Sequence, residues 1–155
     1  IYPFQTLSFN RKVNFQKIPL LVEGSNKETL DKIISLAKLF SENVILMKSD
    51  KRLVCHLSAI FANNFTNHLI FNSEEILKKF NIDPYILQPL IHETISKIKS
   101  ISTSAAQTGP AVRNDLITIK KHLRFLKNNN LNNNADIYKV LSESIIKNKQ
   151  NELQN

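Results

Sequence analysis

His56, Ala59, Asn63 and Asn67 recur at spacings of three and four in a stretch that is otherwise apolar. Residues so spaced share one face of a helix, so an imidazole and two carboxamides would stand in a row beside a small residue. An imidazole takes up and releases protons near neutral pH. Polar groups in such a row must be paired or wet, and two readings stay open: a solvated or satisfied polar face, or a ligand-facing wall. His68, His92 and His122 have no regular metal-ligand spacing, and Cys55 is the only cysteine, so no metal site is expected.

A second constellation is the stretch "AQTGPAVRND", residues 106–115, which holds one of the chain's two glycines. Gly109 permits a backbone conformation barred to other residues, while Pro110 removes a donor and fixes one dihedral, which makes the turn stiff. The turn delivers Thr108, Arg113, Asn114 and Asp115 to the start of a helix. Free N–H groups and the positive dipole end there favour a carboxylate or phosphate, and Arg113 could add a bidentate contact. A Gly-Pro turn with an Asn or Asp cap is equally what a plain helix connection looks like.

The elements that must position these residues follow from the apolar pattern. Residues 2–9, "YPFQTLSF", read as a strand, and the short apolar runs at 17–24 and 43–48 flank a helical stretch at 26–41. That order is β, then β-α-β. Runs apolar on consecutive positions suit strands covered on both faces. Two or three strands and one helix bury little area, so residues 1–49 are expected to be the end of a larger α/β domain.

From Asp50 the pattern turns helical, and residues 50–150 are expected to form an all-helical domain, with 151–155 a frayed tail. A run without Gly or Pro, capped by Ser49 or Asp50, predicts one helix of about 30 residues, about 45 Å long, of the kind that carries a partner surface. A second helix is capped by Asp83 with Pro84 at its first position and is expected to kink near Pro89. The TGP loop follows, then a helix with Leu116, Ile119, Leu123 and Leu126 on one face. "NNNLNNNAD" reads as a polar linker before a last helix.

The composition is that of an ordinary globular chain, with 155 residues, 42% hydrophobic and 22% charged. The formal charge of +8 is spread along the chain, so no nucleic-acid partner is expected. No apolar run approaches the roughly 20 residues a membrane helix needs, so no membrane partner is expected either. One cysteine fits a reducing, cytoplasmic setting.

The ordered combination of "YPFQTLS", "CHLSAIFANNFTNHL" and "AQTGPAVRNDLITIKKHL" resembles an oxidoreductase-related family. Its members carry an N-terminal Rossmann-like domain and a C-terminal domain of unknown function 2520. In that family the three segments read HPxQTF, H-x-A-A-x-x-x-x-N and TGPxxRxD followed by a helix containing His. Gln5, Thr6, His56, Ala59, Asn64, Thr108, Gly109, Pro110, Arg113, Asp115 and His122 stand at matching positions here. Tyr2 replaces the usual His and Leu7 the usual Phe. The likeness implies a relative of the 6-phosphogluconate dehydrogenase and pyrroline-carboxylate reductase group, in which a helical domain completes the site and forms the dimer.

The resemblance implies an NADP- or NAD-dependent oxidoreductase acting on a small, anionic molecule. It implies cofactor contacts at Gln5 and Thr6 and substrate contacts at Thr108, Gly109, Arg113, Asp115 and His122. His56 would be the acid or base and Asn64 a positioner of a carbonyl or hydroxyl. The stripe favours Asn63 for that role, and Asn67 is the further fallback. The Gly-rich phosphate turn of such a domain should lie about 100 residues upstream of Ile1, and these 155 residues hold no such turn. By themselves they are expected to bind a dinucleotide poorly and to lack activity. The alternative expectation is a non-catalytic dimerisation or redox-sensing protein, since paired helices can bury an apolar stripe without catalysis.

Overall fold

The computed structural model describes residues 1–152 and divides the chain into two compact units, Ile1–Leu69 and Ile70–Asn155. In the first, the two short apolar runs become β2 (Leu20–Val22) and β3 (Val44–Leu46), joined by α1 (Lys27–Lys38). β2 and β3 are parallel, with Leu20 opposite Val44 and Val22 opposite Leu46. β1 (Tyr2–Pro3) runs antiparallel on the other side of β2, Tyr2 opposite Leu21, so the sheet order is β1-β2-β3.

The small core consists of Ile18, Leu20 and Val22 against Ala37, with Leu30, Ile33, Ile34 and Val44 packed around them. These α1 residues recur at three and four, which turns one face of the helix to the sheet. Asn26 caps α1, its Oδ1 accepting from the Thr29 N–H at 2.9 Å. Gly24 lets the chain pass against α1, because a Cβ there would lie 2.6 Å from the Leu30 nitrogen. Ser41 is buried yet satisfied: its hydroxyl donates to the Ile18 carbonyl at 2.5 Å and accepts from the Asn43 N–H at 2.9 Å.

β2 is buried along its length, as an all-apolar run requires, but β3 is an edge strand with Ile45 and Leu46 exposed. The strand expected over residues 2–9 is only two residues long. After Phe4, whose N–H still reaches the Pro19 carbonyl, the Gln5 side chain accepts from the Thr6 N–H and the backbone leaves the sheet.

The helix expected from residue 50 is not uniform. α2 (Ser49–Ala59) passes into a π-helical turn at Ile60–Phe65 before α3 (Thr66–Lys79) resumes α geometry. Neither Ser49 nor Asp50 caps α2. Lys48 holds the cap position without a side-chain bond, and the Ser49 hydroxyl donates to Glu23 instead.

In the second unit Asp83 caps a 3-10 turn, Pro84–Leu87, which leads into α4 (Gln88–Ser100). Pro89 therefore stands in the first turn of α4, where its missing N–H costs nothing, and no kink within a longer helix is needed. A short α5 (Thr103–Ala106) precedes the TGP turn. α6 (Leu116–Asn128) and α7 (Asn132–Glu152) pack on each other around Ile119, Leu126 and Ala135. The Asn-rich run is not a linker: only residues 129–131 join the two helices. Asn130 takes a φ of 56°, and the Leu131 N–H closes onto the Leu126 carbonyl. α7 is helical to Glu152, and the rest of the tail, 153–155, lies outside the described residues.

Candidate functional site

The sheet and the π turn together make a cleft in the first unit. A cavity of about 470 Å³ is lined by Tyr2, Phe4, Gln5 and Thr6 on one side. His56, Ser58, Ala59, Ile60, Ala62, Asn63 and Asn64 line the other. Pairing of β1 with β2 fixes Tyr2 and Pro3, and the loop that follows presents Gln5 and Thr6.

His56 is held from this side. The Tyr2 hydroxyl lies 2.9 Å from His56 Nδ1, and the two rings meet edge to face with centroids 6.3 Å apart. A phenol donates to Nδ1 of a neutral imidazole and accepts from a protonated one. Either way Nδ1 is engaged, and Nε2 has no protein partner among the described residues.

The π turn decides what stands beside His56. A π turn carries one more residue than an α turn, because its hydrogen bonds run i to i+5 rather than i to i+4. Six of the seven residues from Ser58 to Asn64 line the cavity, Asn63 and Asn64 both among them, and Asn63 Nδ2 donates to Asn64 Oδ1 at 3.3 Å. The two asparagines, alternatives on a regular helix, thus sit side by side here. Thr66 Oγ1 donates to the Phe61 carbonyl at 3.3 Å, and Phe61 meets Phe65 edge to face at 5.0 Å, so the wide turn has its own internal contacts. π turns of this kind occur frequently at functional sites.

A second cavity of about 600 Å³ adjoins the first, sharing Gln5, Thr6, Asn63 and Asn64 and adding Ser8, Arg11, Val13 and Asn67. The stripe residues His56, Ala59, Asn63 and Asn67 therefore divide between two cavities with a common wall. Tyr2, Ser8, Arg11 and Ser58 are polar lining residues that the sequence reading did not single out for chemistry. Tyr2 lies 54 positions from His56 in sequence, and only its place at a position usually held by His marked it at all.

The remaining predicted residues lie in the second unit. Thr108 lines a pocket with Leu90, Glu93, Thr94 and Lys97 of α4. Gly109 has a φ of 109°, the conformation a glycine was needed for. Asp115 is the N-cap of α6: its carboxylate accepts from the Thr118 N–H at 3.0 Å and hydroxyl at 2.7 Å, and these bonds hold its carboxyl below the usual range. Arg113 is exposed. His122 Nδ1 lies 2.8 Å from the Tyr138 hydroxyl, tying α6 to α7.

Residues 18–145 match the family model described as Domain of unknown function (DUF2520). The chain belongs to the DUF2520 family. The DUF2520 chain is also similar to the crystal structure of "putative NADP oxidoreductase BF3122" from Bacteroides fragilis. That likeness has 38% identity and a TM-score of 0.86, over 94% of this chain and 56% of that one. Protein TM1727 from Thermotoga maritima is similar at 25% identity with a TM-score of 0.65, over 83% of this chain and 54% of that one. The DUF2520 chain thus spans a little over half the length of these solved relatives. No curated protein matches it. Among the described residues no helix is long and apolar enough to cross a membrane. No three His, Cys, Asp or Glu side chains among them are grouped to hold a metal ion.

Proposed function

We propose that this DUF2520 chain contributes the substrate-binding part of a nicotinamide-dependent oxidoreductase, using NADP or NAD, that acts on a small molecule with a carbonyl, imine or hydroxyl group. The observation that carries the reading is the cleft itself. A histidine oriented through one ring nitrogen lines a cavity of small-molecule size together with two carboxamides, in a chain 38% identical to a protein named for NADP.

The residues present fit the nicotinamide end of such a cofactor. Its carboxamide needs both a donor and an acceptor, and Gln5, Thr6 and the asparagine pair supply both around one cavity. They do not fit the pyrophosphate, which needs a Gly-rich turn at a helix N-terminus, and the two glycines of this chain stand singly. We assign that turn to the part of the protein that corresponds to the remainder of its longer relatives. The exposed Ile45 and Leu46 on edge strand β3 support further strands continuing the sheet there. On this reading residues 1–49 belong to a Rossmann-like domain, and 50–150 to a helical domain like that of 6-phosphogluconate dehydrogenase.

When bound, the nicotinamide supplies or accepts a hydride. The work of this chain is proton delivery and orientation. In the resting site the Tyr2 hydroxyl donates a hydrogen bond to His56 Nδ1, which leaves the proton of the neutral imidazole on Nε2. For reduction the ring takes up a second proton at Nδ1, which turns that bond round toward the Tyr2 oxygen, and Nε2 gives its proton to the substrate heteroatom. The neutral imidazole left behind takes the proton back at Nε2 in oxidation. Asn63 and Asn64 hold the same heteroatom by their N–H groups, so that charge forms where donors already stand.

We further propose that the protein is a cytoplasmic homodimer paired through the helical part. Leu53, Val54, Leu57 and Phe61 along α2 and the π turn are 56–68% exposed, an apolar surface that a second copy would cover. Within the second unit, taken by itself, the TGP turn with Arg113, Asp115 and His122 is proposed as a binding element.

The test is NADPH oxidation by the full-length protein against a panel of small aldehydes, ketones and imines. A substrate turned over by the native protein should be turned over 10²–10⁴-fold more slowly by His56→Gln. Equal turnover by the variant would remove His56 from the chemistry. No turnover of any panel member, with the apolar face of α2 fully buried in a dimer, would favour a dimerisation or sensing role.

A further inference from the structure

The cavity on the far side of the asparagine pair differs in chemistry from the one that holds His56. Where the His56 cavity carries Tyr2, Phe4, Ala59, Ile60 and Ala62, this one is lined by hydroxyls, carboxamides and the guanidinium of Arg11, with Val13 the single apolar residue. Neither cavity contains an Asp or Glu, and Arg11 is the one permanently charged group in either. Its guanidinium has no ion-pair or hydrogen-bond partner among the described residues. A turn closed by the Arg11 N–H on the Ser8 carbonyl at 3.3 Å places both residues on the cavity wall.

We infer that this second cavity is an oxyanion subsite, built to take a carboxylate or phosphate on the ligand whose reacting end lies at His56. The inference rests on the oxidoreductase reading for that second end only. Arg11 offers a planar fork of donors that matches two oxygens of either group. Ser8 and Thr6 hydroxyls and the Asn67 amide add neutral donors, and the absence of acids leaves no repulsion to overcome. Because Asn63 and Asn64 line both cavities, an anion held in one lies next to the cavity that holds the proton donor. This is what a small 2-oxo or 3-oxo acid, or the phosphate ester of a small carbonyl compound, would require. Anchoring that end through Arg11 orients the carbonyl before the proton moves.

The experiment is an NMR titration of the full-length protein with two probes, inorganic phosphate and malonate, in the native form, in Arg11→Gln and in His56→Gln. Saturable shifts at Ser8, Arg11 and Asn67 are expected with at least one probe, and the one that binds more tightly identifies phosphate or carboxylate as the natural group. Arg11→Gln should weaken that binding at least tenfold, while His56→Gln leaves it unchanged. No saturable shift at these residues with either probe, or equal binding by Arg11→Gln, overturns the subsite. NADPH binding measured on the same samples separates the two claims. NADPH binding without an anion response defeats the subsite alone, and an anion response without NADPH binding defeats the oxidoreductase reading alone.

Discussion

The Tyr2 hydroxyl stands 2.9 Å from His56 Nδ1, joining the first strand of the chain to the second helix across 54 residues of sequence. A histidine held through one nitrogen has its tautomer set by that bond, and the other nitrogen becomes the reactive one. Tyr2→Phe keeps the ring and its edge-to-face contact and removes only the hydroxyl. We expect the native protein to show the proton on Nε2 in long-range nitrogen NMR spectra and Tyr2→Phe to show a mixture of tautomers. Turnover should fall about tenfold in Tyr2→Phe, less than in His56→Gln, because the proton donor remains. An unchanged tautomer in Tyr2→Phe would mean that the bond does not orient the ring.

The close passage at Gly24 carries a stability prediction. A methyl group there would meet the Leu30 backbone nitrogen at 2.6 Å and Cα at 2.7 Å, and backbone cannot swing aside as a side chain can. Gly24→Ala should destabilise the protein by about 1–3 kcal/mol, read as a lower urea midpoint, with α1 pushed off the sheet. An unchanged midpoint would show that α1 moves without cost.

The link between β2 and α2 carries a pH dependence. Glu23 accepts from Ser49 Oγ and from Arg52 Nη1, both at 2.7 Å, and Arg52 also donates to the Met47 carbonyl at 2.8 Å. The Ser49 bond first, and then Arg52, hold the Glu23 carboxyl below its usual range. A depressed folded pKa stabilises above the unfolded value, about 4.3, and the contribution is lost as pH falls through the folded value. The melting temperature of the native protein should exceed that of Glu23→Gln near neutral pH, and the gap should close on acidification. A gap that stays constant down to about pH 3 would show that Glu23 is not ionised in this bond.

The exposed apolar residues of α2 predict self-association. Leu57→Glu places a charge among Leu53, Val54 and Phe61 and should convert a dimer to a monomer in sedimentation analysis, without change in the helical circular dichroism. A native protein that sediments as a monomer, or a Leu57→Glu variant that remains dimeric, would contradict pairing on this face.

Local chemistry made part of the fold readable from sequence. β2, α1 and β3 follow from two apolar runs around a helical period, and the caps at Asp83 and Asp115 each receive the N–H bonds their residue types imply. The positive φ at Gly109 is equally local. What escaped sequence reading depends on contacts distant in the chain or on competing preferences. No Gly or Pro marks the π turn between His56 and Phe65, and without it Asn63 and Asn64 could only be alternatives. Asn132, Asn133 and Asn134 have weak helix propensity, yet they open α7, where the Asn134 amide donates to Asn72 at 3.1 Å. Ser49 reads as a cap, but the Glu23 carboxylate, just after β2, takes its hydroxyl. Arg11 sits in a loop without periodicity, and only the folded chain brings it onto the wall that carries Asn63, Asn64 and Asn67.

The most direct test of the oxidoreductase reading is a fluorescence titration of NADPH and NADH into the full-length protein. The reduced nicotinamide itself supplies the signal. We predict saturable, micromolar binding with a change in nicotinamide emission, weakened when Gln5 or Asn64 is replaced by alanine. Emission that stays unchanged through millimolar concentrations of both cofactors would contradict the account and leave the cleft at His56 without the chemistry proposed for it.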